Sequence, residues 1–186
     1  MTPSGEDDAP DAPDYLERVS RPYRAAMQLE RAVCCLLLVA TFSVIFLQVV
    51  TRYVFSSPLP WTEEVARFLL VWLTFAAAGY VTARRLHISV DLLMAGLGRR
   101  LAVAVDTFAM LVVVLVAGSM TVAAFGAAGE ATTHAPATGL PVSVIYLAGF
   151  IGFGLMLAHS LFNIYVNVRH PREVPKAMDS VEKEGI

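Results

Sequence analysis

Apolar positions along the chain gather into four runs without Asp, Glu, Lys or Arg: residues 32–51, 68–83, 107–129 and 140–168, of 20, 16, 23 and 29 residues. A run of about 18 or more such residues reads as a helix long enough to cross the hydrocarbon core of a bilayer. The short second run is bracketed by Arg67 and Arg84, whose apolar stems let their charged heads reach the two interfaces. The pattern therefore predicts an all-α membrane protein with four transmembrane helices. Small residues recur in the third and fourth runs, and Ala148/Gly152 and Gly154/Ala158 are spaced to let helix backbones approach closely. No proline interrupts either run beyond Pro141 at the start of the fourth, so the spans read as continuous rods. They lack the broken-helix pattern from which transporters build a midplane solute site.

Two more segments carry apolar residues at helical spacing beside arginines. In the first, Leu16, Val19, Tyr23, Ala26 and Met27 share residues 15–31 with four arginines; in the second, Leu86, Val90, Leu93 and Leu97 lie between arginine pairs. Both are expected to lie as amphipathic helices in the membrane interface. Lysine and arginine set the orientation. Twelve of the 14 fall before the first span, between the second and third, or after the fourth; only Arg52 and Arg67 fall elsewhere. The positive-inside rule then places both termini in the cytoplasm.

Composition closes off several function classes. With 56% hydrophobic and 16% charged residues and a mean hydropathy of +0.61, the chain is not a soluble globule. No leftover segment is long enough to build a water-facing catalytic core. Residues 1–14 hold five carboxylates among three prolines and are expected to form a disordered tail. This stretch has no basic region before an early apolar one, so the first span is expected to serve as targeting signal and anchor. The expected organisation is an acidic tail over 1–14, an interfacial helix over 15–31, a four-helix membrane domain over 32–168 and a cytoplasmic tail over 169–186. Cys34 and Cys35 are adjacent inside the first span and offer neither a disulfide framework nor metal spacing.

Few residues could carry chemistry. Arg52 ends the first span, and the short link to the second is expected to bring it near Glu63 and Glu64, with Arg67 one turn beyond Glu63. This cluster reads as a structural clamp flanked by Trp61 and Tyr53, or as a clamp that also forms a docking surface. It is not an acid/base dyad, because no nucleophile accompanies it. His87 and Asp91 are spaced i, i+4, but two ligands make no metal site, and a surface hydrogen bond explains them. Asp106 reads as an anion near the start of the third helix, paired with Arg99 two turns earlier. His159, Asn163 and Asn167 form a polar stripe on the inner half of the fourth span. Such a stripe should pack on another helix, of this chain or of a partner; a proton relay there would want a companion carboxylate, which the sequence does not place at that depth. A haem would need two histidines within the bilayer and only His159 qualifies. The connection from Gly129 to Pro141 reads as a tight ordered turn, and no phosphate loop or nucleic-acid surface is present.

In order along the chain stand Gln48-Val-Val-Thr-Arg-Tyr-Val-Phe55, Pro58-Leu-Pro-Trp-Thr-Glu-Glu-Val-Ala-Arg67, Leu70-Val-Trp72-Leu, His87-Ile-Ser-Val-Asp91 and Thr138-Gly-Leu-Pro141. Together they resemble the small, DctQ-like membrane subunit of tripartite ATP-independent periplasmic (TRAP) transporters, from about residue 30 to residue 161. The resemblance implies a multi-pass protein of the bacterial inner membrane that is not an enzyme and holds no cofactor or metal. It implies two partners besides lipid: a large permease subunit carrying substrate and ion sites, and a periplasmic binding protein that delivers an organic acid. Structural or docking roles then fall on Arg52, Trp61, Glu63, Glu64, Arg67, His87, Asp91 and Pro141. The rival readings are a homo-oligomeric channel, for which the stripe at His159 is the support, and a small membrane oxidoreductase.

Overall fold

The computed structural model describes residues 21–84 and 99–169. Four helices make up this part: α1 (Arg21–Tyr53), α2 (Pro60–Ala83), α3 (Arg99–Glu130) and α4 (Ser143–Arg169). Each is long and apolar enough to cross a membrane. The acidic tail, the first turns of the segment 15–31, the whole amphipathic connection with His87 and Asp91, and the tail beyond Arg169 lie outside the described residues. No break marks the boundary expected at residue 31, since α1 runs unbroken for 33 residues. At 1.5 Å per residue that is about 50 Å, against a hydrocarbon core of about 30 Å, so α1 extends well beyond one bilayer face.

The helices stand in an open row rather than a closed bundle. α1 packs on α2, α2 on α4 and α4 on α3, the last pair having the most extensive contact. Among the described residues, no other pair of helices brings its Cα atoms within 8 Å. Such a layer has two broad faces, and large apolar side chains cover them: Leu36, Phe42 and Phe46 on α1 and Val122 and Phe125 on α3 are all 60% exposed or more. In water these surfaces would be an aggregation hazard; lipid tails or another membrane protein are their natural cover.

Glycine sets how closely the row packs. A Cβ built on Gly152 would sit 2.6 Å from the Phe75 Cβ and 2.9 Å from the Phe75 carbonyl oxygen, so α2 and α4 cross with backbone nearly touching side chain. Gly149 turns toward Ala124 of α3 as well as the Phe75 ring. The Ala148/Gly152 pair thus acts as the spacing predicts. Gly154 does not, because its missing side chain would meet open space. Edge-on packing of Phe75 on Phe153, ring centroids 5.1 Å apart, fills the groove beside Gly152.

The link between α1 and α2 is built by local rules. Ser56 takes a positive φ of 50°, which ends the helical path after Tyr53, and the Ser57 N–H returns to the Thr51 carbonyl at 3.0 Å. Pro60 opens α2 where a missing N–H costs nothing, and the fully buried Thr62 donates its hydroxyl to the Leu59 carbonyl at 2.7 Å.

Candidate functional site

Polar side chains gather at both ends of the row. At one end the α3–α4 connection folds as the tight turn its Gly and Pro residues predict. The Ala135 N–H donates to the Leu140 carbonyl at 2.8 Å, the Val142 N–H to the Thr133 carbonyl at 2.9 Å, and Gly139 holds a φ of 69°. Pro141 closes the turn, and its carbonyl accepts the Val144 N–H at the start of α4. The turn presents three donors to Glu64 on α2: the N–H groups of Ala137 and Thr138 and the Thr138 hydroxyl, each 2.9 Å from a carboxylate oxygen. Glu64 therefore ties the start of α2 to a turn more than 70 residues away.

Its neighbours behave differently from the expected cluster. Glu63 pairs with Arg67 at 3.1 Å on the exposed side of α2, both side chains about two-thirds exposed. Arg52 makes no ion pair with Glu63 or Glu64 among the described residues; its guanidinium lies 5.9 Å from the ring centroid of Tyr53. The physical reason is competition: the Glu64 oxygens are already taken by the turn, and Glu63 faces outward. The clamp is thus a carboxylate on a turn rather than an Arg–Glu cluster. Pro60, Glu63, Glu64, Arg67, Pro136 and Ala137 line an open depression of about 530 Å³ there, with Trp61 40% exposed close by in sequence.

At the other end, the α4 stripe addresses three different helices. His159 meets Tyr23 and Glu30 of α1, with Nδ1 3.2 Å from the Tyr23 hydroxyl and Nε2 3.0 Å from Glu30 Oε1. Asn163 donates to the Thr82 carbonyl at 3.0 Å, in the last turn of α2. Asn167 donates to Asp106 Oδ2 at 2.6 Å and to the Thr107 hydroxyl at 3.1 Å, both on α3. All three stripe residues are buried. These partners all come from this chain. Glu30 is also the companion carboxylate that the sequence did not place beside His159. Asp106 lies two turns after Arg99, where α3 begins, and is buried, accepting from Asn167.

Glu30, Tyr23, Thr82 and Asp106 were missed as a set by sequence reasoning. One signal was available: Tyr23, Met27 and Glu30 fall at i, i+4 and i+7, and Met27 is buried, so this face of α1 turns inward. Among the described residues no three His, Cys, Asp or Glu side chains gather as a metal site would require.

The model for the DctQ component of tripartite ATP-independent periplasmic transporters matches residues 41–170, which include α2, α3, α4 and the last part of α1. The chain belongs to the DctQ family. It is 38% identical over 63 residues to a Haemophilus influenzae chain described as a TRAP transporter small permease protein, a stretch covering 33% of this chain and 39% of that one. It is 30% identical over 77 residues to the sialic acid TRAP transporter permease protein SiaT of the same species, covering 41% of this chain and 12% of SiaT. The matched stretches thus span well under two-thirds of either relative. As a DctQ component of the TRAP transporters with four span-length helices, the chain is a multi-pass membrane protein. The matched region contains Arg52, Trp61, Glu63, Glu64, Arg67, Pro141 and the α4 stripe; Tyr23 and Glu30 precede it.

Proposed function

We propose that this DctQ chain is a non-catalytic scaffold that anchors a large permease subunit in the bacterial inner membrane, for ion-coupled uptake of an organic acid. One observation carries the reading: the chain is an open layer of unbroken rods whose buried polar groups bond between helices, leaving two wide apolar faces to be covered. A layer of this kind suits a rigid strut, and the TRAP kinship supplies the partner it would brace.

In this reading both termini are cytoplasmic, and the segment before residue 31 and the connection holding His87 and Asp91 sit at the inner interface. The Glu64-tied turn then faces the periplasm, and the depression beside Glu63 and Arg67 is offered to a binding protein that delivers the substrate. Arg52, Trp61 and Pro141 shape that rim, whereas His159, Asn163 and Asn167 hold the inner half together. The decisive experiment is co-expression of this chain with the large permease encoded beside it. Co-elution, and loss of uptake when this chain is deleted, are expected; uptake that survives the deletion, with no co-elution, would overturn the proposal.

A further inference from the structure

Charged residues mark where α1 sits in a bilayer. Arg31 and Arg52 bracket its 20-residue charge-free run. At 1.5 Å per residue they stand about 32 Å apart along the axis, close to the ~30 Å thickness of a hydrocarbon core. Arg52 is therefore set at the level where acyl chains give way to headgroups. The three residues that follow it, Tyr53, Val54 and Phe55, are all at least 68% exposed. Local hydrogen bonds hold them so: the Val54 N–H donates to the Val50 carbonyl at 2.9 Å and the Ser57 N–H to the Thr51 carbonyl at 3.0 Å, which folds the link back on the last turn of α1.

Arg52 has no counter-charge among the described residues. Of the two carboxylates that follow it in the chain, Glu64 is occupied by the α3–α4 turn and Glu63 by Arg67. The dipole of α1 favours a cation in its last turn but supplies no counter-ion. Among the described residues the Tyr53 and Ser56 hydroxyls and the Trp61 indole N–H have no hydrogen-bonding partner either. The link is thus rich in donors, carries one positive charge and is short of acceptors. A phosphate group is the complement, since a guanidinium matches its oxygens two at a time. Depth separates a lipid phosphate from an acidic protein surface. A phosphodiester of the bilayer lies just outside the hydrocarbon edge, where tyrosine and tryptophan rings are favoured, and acyl chains lie next to it to cover Val54 and Phe55.

We propose that the α1–α2 link is a phospholipid-binding site, in which the Arg52 guanidinium holds a lipid phosphodiester with Tyr53 and Trp61 at headgroup level beside it. The contact pins this end of α1 at the membrane interface. It requires only that the chain is a multi-pass membrane protein and stands apart from the scaffold reading.

The test uses the full chain, carrying arginine labelled with ¹³C at the guanidinium carbon, in phosphatidylglycerol–phosphatidylethanolamine nanodiscs and phosphate-free buffer, so that lipid is the source of phosphorus. The spectrum of Arg52→Gln is subtracted from that of wild type to isolate the Arg52 signal, and ¹³C–³¹P dipolar NMR is applied. That signal is expected to lose most of its intensity when the phosphorus coupling is switched on; a signal that keeps its full intensity would overturn the proposal and assign Arg52 to a protein partner. Trp61 gives a second reading in a Trp72→Phe background that keeps Arg52. Its fluorescence is expected to be quenched more by phospholipids brominated near the headgroup end of the acyl chain than by those brominated near the chain terminus. Equal quenching by both, or quenching by neither, would likewise overturn the proposal.

Discussion

Glu64 of α2 and Thr138 of the α3–α4 turn are joined twice, the carboxylate accepting both the backbone N–H and the hydroxyl of Thr138 at 2.9 Å. With the Ala137 N–H as a third donor, the carboxylate stands where a helix or strand would otherwise be needed to order the turn. Glu64→Ala is accordingly expected to lower Tm and expose residues 131–142 to proteolysis. Thr138→Val removes only the hydroxyl and should have a smaller effect in the same direction. Limited proteolysis with mass mapping reads both, and an unchanged cleavage pattern in Glu64→Ala would contradict the clamp.

Gly152 and Gly154 look alike in sequence and should respond oppositely. A methyl at Gly152 meets Phe75 at 2.6 Å and cannot be accommodated without moving α2 from α4, whereas one at Gly154 meets nothing within 4 Å. Overpacking of this kind costs about 1–3 kcal/mol, while Gly154→Ala should stay within roughly 0.5 kcal/mol of wild type. Thermal unfolding in detergent compares the two, and equal losses would refute the packing described.

The stripe on α4 should be graded. Asn163→Ala removes a neutral amide–carbonyl bond between helices, worth about 0.6–1.7 kcal/mol inside a membrane, plus the space the side chain filled. Asn167→Ala withdraws a donor from the buried Asp106 carboxylate, and a charged group deprived of a donor is dearer, about 1.5–3 kcal/mol. The larger loss is therefore expected at Asn167, and Asp106→Asn combined with Asn167→Ala should recover part of it. Unfolding in denaturing detergent measures the order.

Glu63 and Arg67 separate stability from docking. Their pair is two-thirds exposed on a helix surface, so removing either residue should change stability by no more than about 0.5 kcal/mol. If the adjoining depression receives a binding protein, Glu63→Lys and Arg67→Glu should nevertheless slow uptake, most strongly at low ionic strength. Uptake that does not change at any salt concentration would remove this rim from the docking surface.

Much of the architecture was legible in the chain because the bilayer imposes a single strong rule. Every backbone group must be satisfied without water, so long apolar runs become helices, and four runs become four helices. The turn at Gly139 and Pro141 was legible for a local reason, since only certain residues take its dihedrals. The inward face of α4 could be read from three polar residues at helical spacing. Partner choice could not be read this way. Arg52 looked like the natural mate of Glu63 and Glu64, but hydrogen-bond donors 73 and 74 residues beyond Glu64 had a better claim on it. His159 looked solitary because Glu30 sits 129 residues earlier, just outside the apolar run.

By itself, the sequence determined the number of long apolar rods among the described residues and the tight turn before α4, both of which depend on residues close together along the chain. Only the tertiary structure decided that the rods stand in an open row, that α4 bonds to each of the other three, and which carboxylate meets which donor. Those outcomes depend on which helices meet: the Ala148/Gly152 spacing marks a face that another helix can approach closely, but that Phe75 of α2 is what lies against Gly152 is decided by contact between residues distant along the chain.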